Sequence, residues 1–290
     1  MIMEKVLLCP NPSLKNAADC VKATVKKLGE CGITPMMVDE IAAQFELCDS
    51  VQRGNEEKLM RRCDAIIVIG GDGSIFHMAR KAMLFDKPIL GINSGRLGFL
   101  SQLDSSDLSA LSLLKSGEYD IENRMSLCVT AYGKEGLKVQ QIAINDVIIT
   151  RSNLGRTIDI DVSCDEDAIG EYRADGIIFS TPTGSTAYSL SAGGPIIDPS
   201  VDSINMTPIC PHLLSSGRAI IFAPDRVLTV QPKMPDDKTK LCVIADGIPI
   251  PDLDGISHVV IEKSKYVSRF ICFRDRGFYK TLNQKLKLRG

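Results

Sequence analysis

The chain has 290 residues, of which 44% are hydrophobic and 24% charged, and its formal net charge is -2 at pH 7. A pI near 6.0 excludes the strongly basic surface that non-specific nucleic-acid binding needs. The sequence also lacks an apolar run near the roughly 20 residues that span a bilayer, so we expect neither nucleic-acid nor membrane partners.

The ten cysteines are scattered, and none forms a Cys-x-x-Cys pair. This spacing excludes zinc-ribbon and thioredoxin-like sites and is typical of reduced thiols in a cytoplasmic protein. The three histidines, His77, His212 and His258, are far apart, so we expect no His/Cys metal site. The apolar N-terminal segment is short, and we expect a first strand there rather than a signal peptide.

Strands and helices alternate through the first part of the chain. The sequence predicts strands at 5–9, 33–38, 66–69 and 87–93, and helices at 13–28, 56–63 and 104–117. Alternation of this kind indicates an α/β layer built on a parallel sheet. In such sheets ligands bind at the carboxyl ends of the strands, so the segments that follow the third and fourth strands are candidate site loops.

The pattern changes after Gly117. Short apolar segments between glycine-rich or charged turns predict strands at 126–132, 141–150, 157–164, 218–223, 226–231, 240–245 and 257–262. We therefore expect an α/β fold class with three parts. These are an N-terminal parallel-sheet domain at 1–117, a mostly β domain at 118–268, and a C-terminal segment at 269–290 that returns to the first domain. That last segment is basic with an apolar side, which is typical of a docked helix.

The stretch from Ala65 to Ser74 has the clearest pattern in the chain. Five apolar residues run into Gly70-Gly71-Asp72-Gly73-Ser74, and apolar residues then recur at helical spacing. This pattern predicts a buried strand, a glycine turn and a helix. The N–H groups and the dipole of a helix that starts there favour phosphate.

A single carboxylate, Asp72, lies in the middle of that anion-binding turn. One hypothesis is that Asp72 accepts a proton from a hydroxyl group while neighbouring N–H groups hold phosphate. The alternative is that Asp72 merely caps the helix, because Asp is a favoured N-cap residue. Short glycine motifs do not separate the two.

Three further stretches carry candidate chemistry. Asn145-Asp146 interrupts an apolar strand, and we favour a ligand-facing pair over a bulge or turn there, since a buried unpaired polar group is costly. The run Thr181-Pro182-Thr183-Gly184-Ser185-Thr186-Ala187-Tyr188-Ser189-Leu190-Ser191 follows a strand and opens a predicted helix. Its hydroxyl groups suit a base, ribose or phosphate. Asp246-Gly247 alone indicates only a turn.

These stretches, in this order and spacing, resemble the NAD kinase family over essentially the whole chain. Gly-Gly-Asp-Gly alone is shared with lipid kinases and phosphofructokinases, whereas the run from Thr181 to Ser191 is more specific. The loop Gly91-Ile92-Asn93 with Gly95-Arg96-Leu97-Gly98-Phe99-Leu100 matches as well. This sequence departs from the family pattern at three positions, which are Ser74 in place of Thr, Asp146 in place of Glu, and Ile248 in place of a polar residue.

The resemblance implies phosphorylation of the 2′-hydroxyl of the adenosine ribose of NAD, giving NADP. The donor would be ATP, with a divalent cation such as Mg²⁺, and Asp72 would be the proton acceptor. The resemblance also implies a nucleotide-binding set, with Tyr188 stacking on the ligand. That set is Gly73, His77, Asn145, Asp146, Arg156, Arg173, Asp175, Thr183, Thr186, Ala187, Tyr188, Ser189, Leu190, Ser191 and Asp246.

Two rival functions stay open on the sequence. One is another kinase with the same glycine turn that acts on a lipid or sugar, and the other is a non-catalytic NAD(P)-binding regulator. The acceptor that takes up phosphate distinguishes the first, and binding without turnover distinguishes the second. We also expect a homo-oligomer. The resemblance implies a dimer or a tetramer, and apolar β edges favour symmetric pairing.

Overall fold

The structure is a computed structural model. It describes residues 2–13, 17–47, 49–93, 98–133, 136–151, 157–212, 217–233, 241–251, 253, 255–273 and 277–287. The chain forms two units, Met1–Asn123 with Ser268–Gly290, and Arg124–Val267. The boundaries predicted from sequence lie after residues 117 and 268. The first of these lies earlier than residue 123 because it is set where helical periodicity is lost, after Gly117.

The first unit alternates strands and helices. Its elements are β1 (Lys5–Pro10), α1 (Ala17–Glu30), β2 (Thr34–Val38), α2 (Asp39–Gln44), β3 (Gln52–Gly54), α3 (Glu56–Arg62), β4 (Ala65–Ile69), α4 (Asp72–Ala82), β5 (Ile89–Asn93), β6 (Ser101–Asp104) and α5 (Ser112–Ser116). The strands pair in the order β3-β2-β1-β4-β5-β6, and every pairing is parallel.

The central strands of this sheet are covered on both faces. All five residues of β4 and all five of β5 are buried, as continuous apolar runs in parallel sheets require. Helix α1 turns Val21, Val25 and Leu28 toward the same core. The β4–α4 connection therefore stands on a rigid, fully packed strand.

The predicted helix at 104–117 is partly wrong. Ser101–Asp104 forms β6, the following residues form turns, and a 3₁₀ helix at Ser109–Leu111 leads into the five-residue α5. Asp104 and Asp107 explain the break, because their carboxylates accept the N–H groups of Ser106 and Ser109. Such local side-chain bonds compete with helical ones.

The second unit is mostly antiparallel β-structure. The remaining strands, most of whose residues lie in it, are β7 (Asp120–Gly133), β8 (Lys138–Ala143), β9 (Asp146–Arg151), β10 (Ile158–Cys164), β11 (Asp167–Ala174), β12 (Gly176–Ser180), β13 (Ile204–Ile209), β14 (Ile220–Phe222), β15 (Leu228–Pro232), β16 (Leu241–Ala245), β17 (Ile248–Pro249) and β18 (Ile256–Cys272). A four-residue helix, α6 (Tyr188–Ser191), follows β12. The predicted fold class, a parallel-sheet domain followed by a mostly β domain, is confirmed.

One six-stranded antiparallel sheet positions most of the polar motifs of this unit. Its order is β14-β13-β12-β9-β16-β17. Ser180 at the end of β12 pairs with Asp146 at the start of β9, and Ala245 at the end of β16 pairs with Val147. The register therefore brings the motifs at 145–146, 181–191 and 246–247 to one end of the sheet. Strand β13, which the sequence did not predict, pairs with β12.

The C-terminal helix α7 (Phe278–Lys287) belongs to the first unit. Phe278, Thr281, Leu282 and Lys285 are its partly buried residues, at helical spacing i, i+3, i+4 and i+7. Phe278 packs near Phe99, with ring centroids 6.2 Å apart. The apolar side of α7 therefore faces the segment that follows β5.

Candidate functional site

The glycine turn after β4 has the predicted strand–turn–helix geometry. Strand β4 ends at Ile69 and helix α4 begins at Asp72, with Gly71 as an extended N-cap residue that supplies no capping side chain. Asp72 is thus the first residue of the helix and not its N-cap. The alternative in which Asp72 merely caps the helix is wrong.

The carboxylate of Asp72 points instead at the segment after β5. It accepts the backbone N–H of Phe99 at 2.8 Å and that of Leu100 at 3.2 Å. A Cβ at Gly98 would overlap the Asp72 carboxylate, so a glycine is needed for this close approach. The structure therefore fixes a partly exposed carboxylate at the carboxyl edge of the parallel sheet.

A cavity of about 500 Å³ lies beside this turn. Its lining includes Asn11, which follows β1, and Gly73, Ser74 and His77 on the first turns of α4. The Asn11 side-chain amide donates to the Ser74 hydroxyl at 3.0 Å. Gly73 and His77, both predicted site residues, thus share one cavity at the strand ends, where open α/β sheets bind ligands.

A lysine that lies near Asp72, Lys285, is not among the predicted site residues. The ammonium group of Lys285, on α7, lies 3.6 Å from Asp72 Oδ2 and 4.1 Å from the centre of the Phe99 ring. The only sequence signal was the apolar side of the tail, which predicts docking and does not specify what Lys285 contacts.

In the second unit, the candidate pair Asn145-Asp146 lies at a break between two strands. The predicted continuous strand at 141–150 is wrong, because β8 ends at Ala143 and β9 begins at Asp146. The Asp246 carboxylate accepts N–H groups from Ile144 at 2.8 Å, Asn145 at 2.8 Å and Asp146 at 3.2 Å. Those three groups are therefore unavailable for a continuous sheet ladder.

Hydrogen bonds from Thr181 also hold the turn at Ile144 and Asn145. The Thr181 hydroxyl donates to the Ile144 carbonyl at 2.6 Å and accepts the Gly184 N–H at 3.0 Å, while the Thr181 N–H donates to the Asn145 carbonyl at 2.9 Å. A Cβ at Gly184 would overlap the Asn145 backbone. Thr181 lies within the predicted motif at 181–191 but is not among the predicted site residues.

Two polar groups of this turn are suited to a ligand. Asn145 Oδ1 is buried and has no hydrogen-bond partner in the part of the chain that the structure describes, and an unpaired buried acceptor is costly. Asp146 is 5% exposed. Its pKa is raised to about 7, first by burial and then by the negative charge of Asp246. Groups perturbed in this way mark candidate binding sites.

The run from 183 to 191 divides into inward and outward residues. Thr183 is buried, and its hydroxyl accepts a hydrogen bond from Arg124 Nη1 at 3.2 Å. Ser189 is also buried, and its hydroxyl accepts a hydrogen bond from Asn205 Nδ2 at 2.9 Å. By contrast, the outer residues are at least partly accessible. These are Thr186, Ala187, Tyr188, Leu190 and Ser191. The predicted helix is only the single turn α6, preceded by a 3₁₀ turn at Gly184–Thr186.

Arg173 and Asp175 lie away from the Asn145 turn. Arg173 forms a bidentate ion pair with Asp159, with N···O distances of 2.6 and 2.9 Å, and Asp175 pairs with Arg151 at 3.1 Å. Asp175 precedes Gly176 and thus lies at the opposite end of β12 from Ser180, roughly 15 Å away at the usual rise per strand residue. Arg156 lies outside the described residues.

The chain matches two family models, the ATP-NAD kinase N-terminal domain over residues 6–119 and the ATP-NAD kinase C-terminal domain over residues 144–273. It is 36% identical to an NAD kinase of Caldanaerobacter subterraneus subsp. tengcongensis, over 98% of this chain and 99% of that protein. It is also 33% identical to an NAD kinase of Acetivibrio thermocellus, over 99% of each.

Two solved structures share the fold. One is a yeast NADH kinase complexed with NADH, with a TM-score of 0.87 and 24% identity, over 99% of this chain and 88% of that one. The other is an NAD kinase from Archaeoglobus fulgidus in complex with ATP, with a TM-score of 0.68 and 23% identity over 98% of each chain. The fold is therefore that of the NAD and NADH kinases.

The shared fold agrees with the family models and with the relatives above 30% identity. The chain belongs to the NAD kinase family, a family of phosphotransferases. None of the helices that the structure describes combines the length and apolar character needed to cross a bilayer.

Proposed function

We propose that this protein transfers the terminal phosphoryl group of ATP to the 2′-hydroxyl of the adenosine ribose of NAD, giving NADP and ADP. Family membership supports the reaction class. The observation that carries the assignment of roles is the Asp72 carboxylate, which is held by two backbone N–H groups and takes no part in capping α4.

In this proposal Asp72 is the general base. As the ribose oxygen attacks the terminal phosphorus, the new O–P bond forms, the bond to the leaving ADP oxygen breaks, and the hydroxyl proton passes to Asp72. Catalysis of phosphoryl transfer depends mainly on positioning and electrostatic stabilisation. The bonds from Phe99 and Leu100 support this role, because they fix the direction of the carboxylate before substrate binds.

The nucleotide-binding roles follow from accessibility and unmet bonding capacity. Gly73 and His77 contact nucleotide phosphates in the cavity beside α4, and Asn145 and Asp146 hold polar edges of NAD. Thr186, Ala187, Leu190 and Ser191 line the NAD pocket, and Tyr188, which is 45% exposed, stacks on a ring of the ligand. Thr183, Ser189 and Asp246 act indirectly, because their polar atoms are engaged within the protein.

We further propose nucleotide-binding roles for Arg156, Arg173 and Asp175, which rest on the family resemblance alone. The described residues contain no group of three or more His, Cys, Asp or Glu side chains arranged to hold a metal ion. A divalent cation would accompany the phosphates of ATP, and we propose no protein ligands for it.

We also propose that the protein works in the cytoplasm as a homo-oligomer. The nine described cysteines form no disulfide with one another, which supports a reducing compartment. Ile221, 54% exposed on the edge strand β14, supports pairing between copies.

Asp72→Asn tests the proposal. Purified protein is assayed with NAD or NADH, and with ATP or polyphosphate, by measuring the NADP(H) formed. We expect turnover of the variant to fall on the order of 10²–10⁴-fold, the usual contribution of a general base. NAD affinity, measured by calorimetry, should change little, because most of the proposed contacts to NAD come from Asn145, Thr186, Ala187 and Tyr188.

The matched control is Asp39→Asn, because Asp39 is likewise the first residue of a helix, α2, after an N-cap residue without a capping side chain. Its turnover should remain at the wild-type value. Near-wild-type turnover of folded Asp72→Asn would remove Asp72 from the mechanism. Phosphorylation of a lipid or sugar instead of NAD would contradict the substrate assignment.

A further inference from the structure

In the proposed mechanism, the glycine turn of the first unit brings the negative charge of Asp72 close to the negative charge of the phosphate donor. In that mechanism the general base beside the transferring phosphate is the Asp72 carboxylate, and a carboxylate repels the phosphate groups that approach it. The N–H groups of Phe99 and Leu100 orient Asp72 but carry no net charge. A fixed positive charge within a few ångströms would offset that repulsion.

Lys285 supplies this charge from the C-terminal helix. Its ammonium group lies 3.6 Å from Asp72 Oδ2, and the Lys285 and Asp72 side chains are each 26% exposed. The pair is therefore shielded from water more than a surface ion pair, and its charges interact more strongly. The same ammonium group lies 4.1 Å from the centre of the Phe99 ring, within the range of a cation–π contact.

The helix holds Lys285 in place by packing. Phe278 lies seven residues earlier on the same side of α7 and contacts the Phe99 ring, whose backbone N–H is bonded to Asp72. One aromatic residue thus links the base, the lysine and the helix. Packing against Phe99 already orders the long Lys285 side chain. The ion pair with Asp72 therefore costs less side-chain entropy than it would for a free lysine.

We propose that Lys285 is a positioning residue for phosphoryl transfer, which holds the Asp72 carboxylate and offsets its charge where the phosphate donor approaches. This inference rests on the proposed function, in which Asp72 is the general base. Lys285 acts through Asp72, so its removal should lower kcat and leave the KM for NAD nearly unchanged.

The experiment compares Lys285→Met, Lys285→Arg and the control Lys280→Met, an exposed lysine on the same helix. Methionine keeps most of the apolar stem against Phe99 and removes the charge, whereas arginine keeps the charge. Turnover is expressed per NAD-binding site titrated by calorimetry, so that partial unfolding does not imitate the effect. We expect Lys285→Met to lower kcat roughly 10²-fold, the effect of removing one preorganised electrostatic group.

A double-mutant cycle separates this role from simple docking of the helix. In the Asp72→Asn background, Lys285→Met should lower kcat by less than about threefold, because coupled residues are not additive. Lys285→Arg should retain most of the wild-type kcat, and Lys280→Met all of it. Full additivity, or a wild-type kcat for Lys285→Met, would overturn the inference and leave the proposed function intact. A wild-type protein that forms no NADP from NAD and ATP would overturn the proposed function itself.

Discussion

Asp146 gives the structure a pH-dependent stability that one substitution should remove. The side chain is 5% exposed and lies near the carboxylate of Asp246. Burial, and then the charge of Asp246, raise its pKa from 3.8 to about 7. Asp146→Asn preserves the shape of the side chain and removes its titration.

The direction in which stability changes with pH follows from proton binding by Asp146. Because the folded protein holds this proton more tightly than the unfolded chain, the free energy of unfolding falls as the pH rises from about 4 to about 7. The full shift corresponds to roughly 4 kcal/mol. Between pH 5 and pH 8 the wild type should therefore lose about 2–3 kcal/mol of stability relative to Asp146→Asn.

Urea unfolding of both proteins at intervals between pH 5 and pH 8 measures this difference. Asp19→Asn serves as the control for the loss of one surface carboxylate, because Asp19 is an exposed residue of α1. Parallel pH dependences for the wild type and Asp146→Asn would refute the reasoning and show that Asp146 is ionised without penalty.

Two further predictions concern the turn at Asn145 and the residue proposed to stack on NAD. Thr181→Val should lower the free energy of unfolding by about 1–3 kcal/mol, because it leaves the Ile144 carbonyl and the Gly184 N–H without their buried partner. Thr181→Ser should restore stability in urea unfolding, and an unchanged midpoint for the valine variant would contradict this role. Tyr188→Ala should raise the KM for NAD roughly 10-fold or more, since ring stacking contributes about 1–3 kcal/mol. Tyr188→Phe should not raise it, and an equal effect of both variants would argue against stacking.

The sequence alone determined the local element that carries the proposed base. Continuous apolar residues at 65–69 specify a strand covered on both faces, and glycines followed by helical periodicity specify the turn and α4. These signals are local, because they depend on propensity and pattern within about fifteen residues. The same reasoning identified two domains of different type, and the family resemblance rested on motifs that are each contiguous in the chain.

The contacts of those motifs were decided only by the tertiary structure. Asp72 binds N–H groups 27 and 28 residues later and faces Lys285 on the last helix. The break at Asn145 arises because Asp246, about a hundred residues on, accepts its neighbouring N–H groups. Periodicity reports which face of an element is buried, but it carries no information about which distant polar group will meet it. Hydrogen bonds and ion pairs between remote segments depend on the register and packing of the folded sheets.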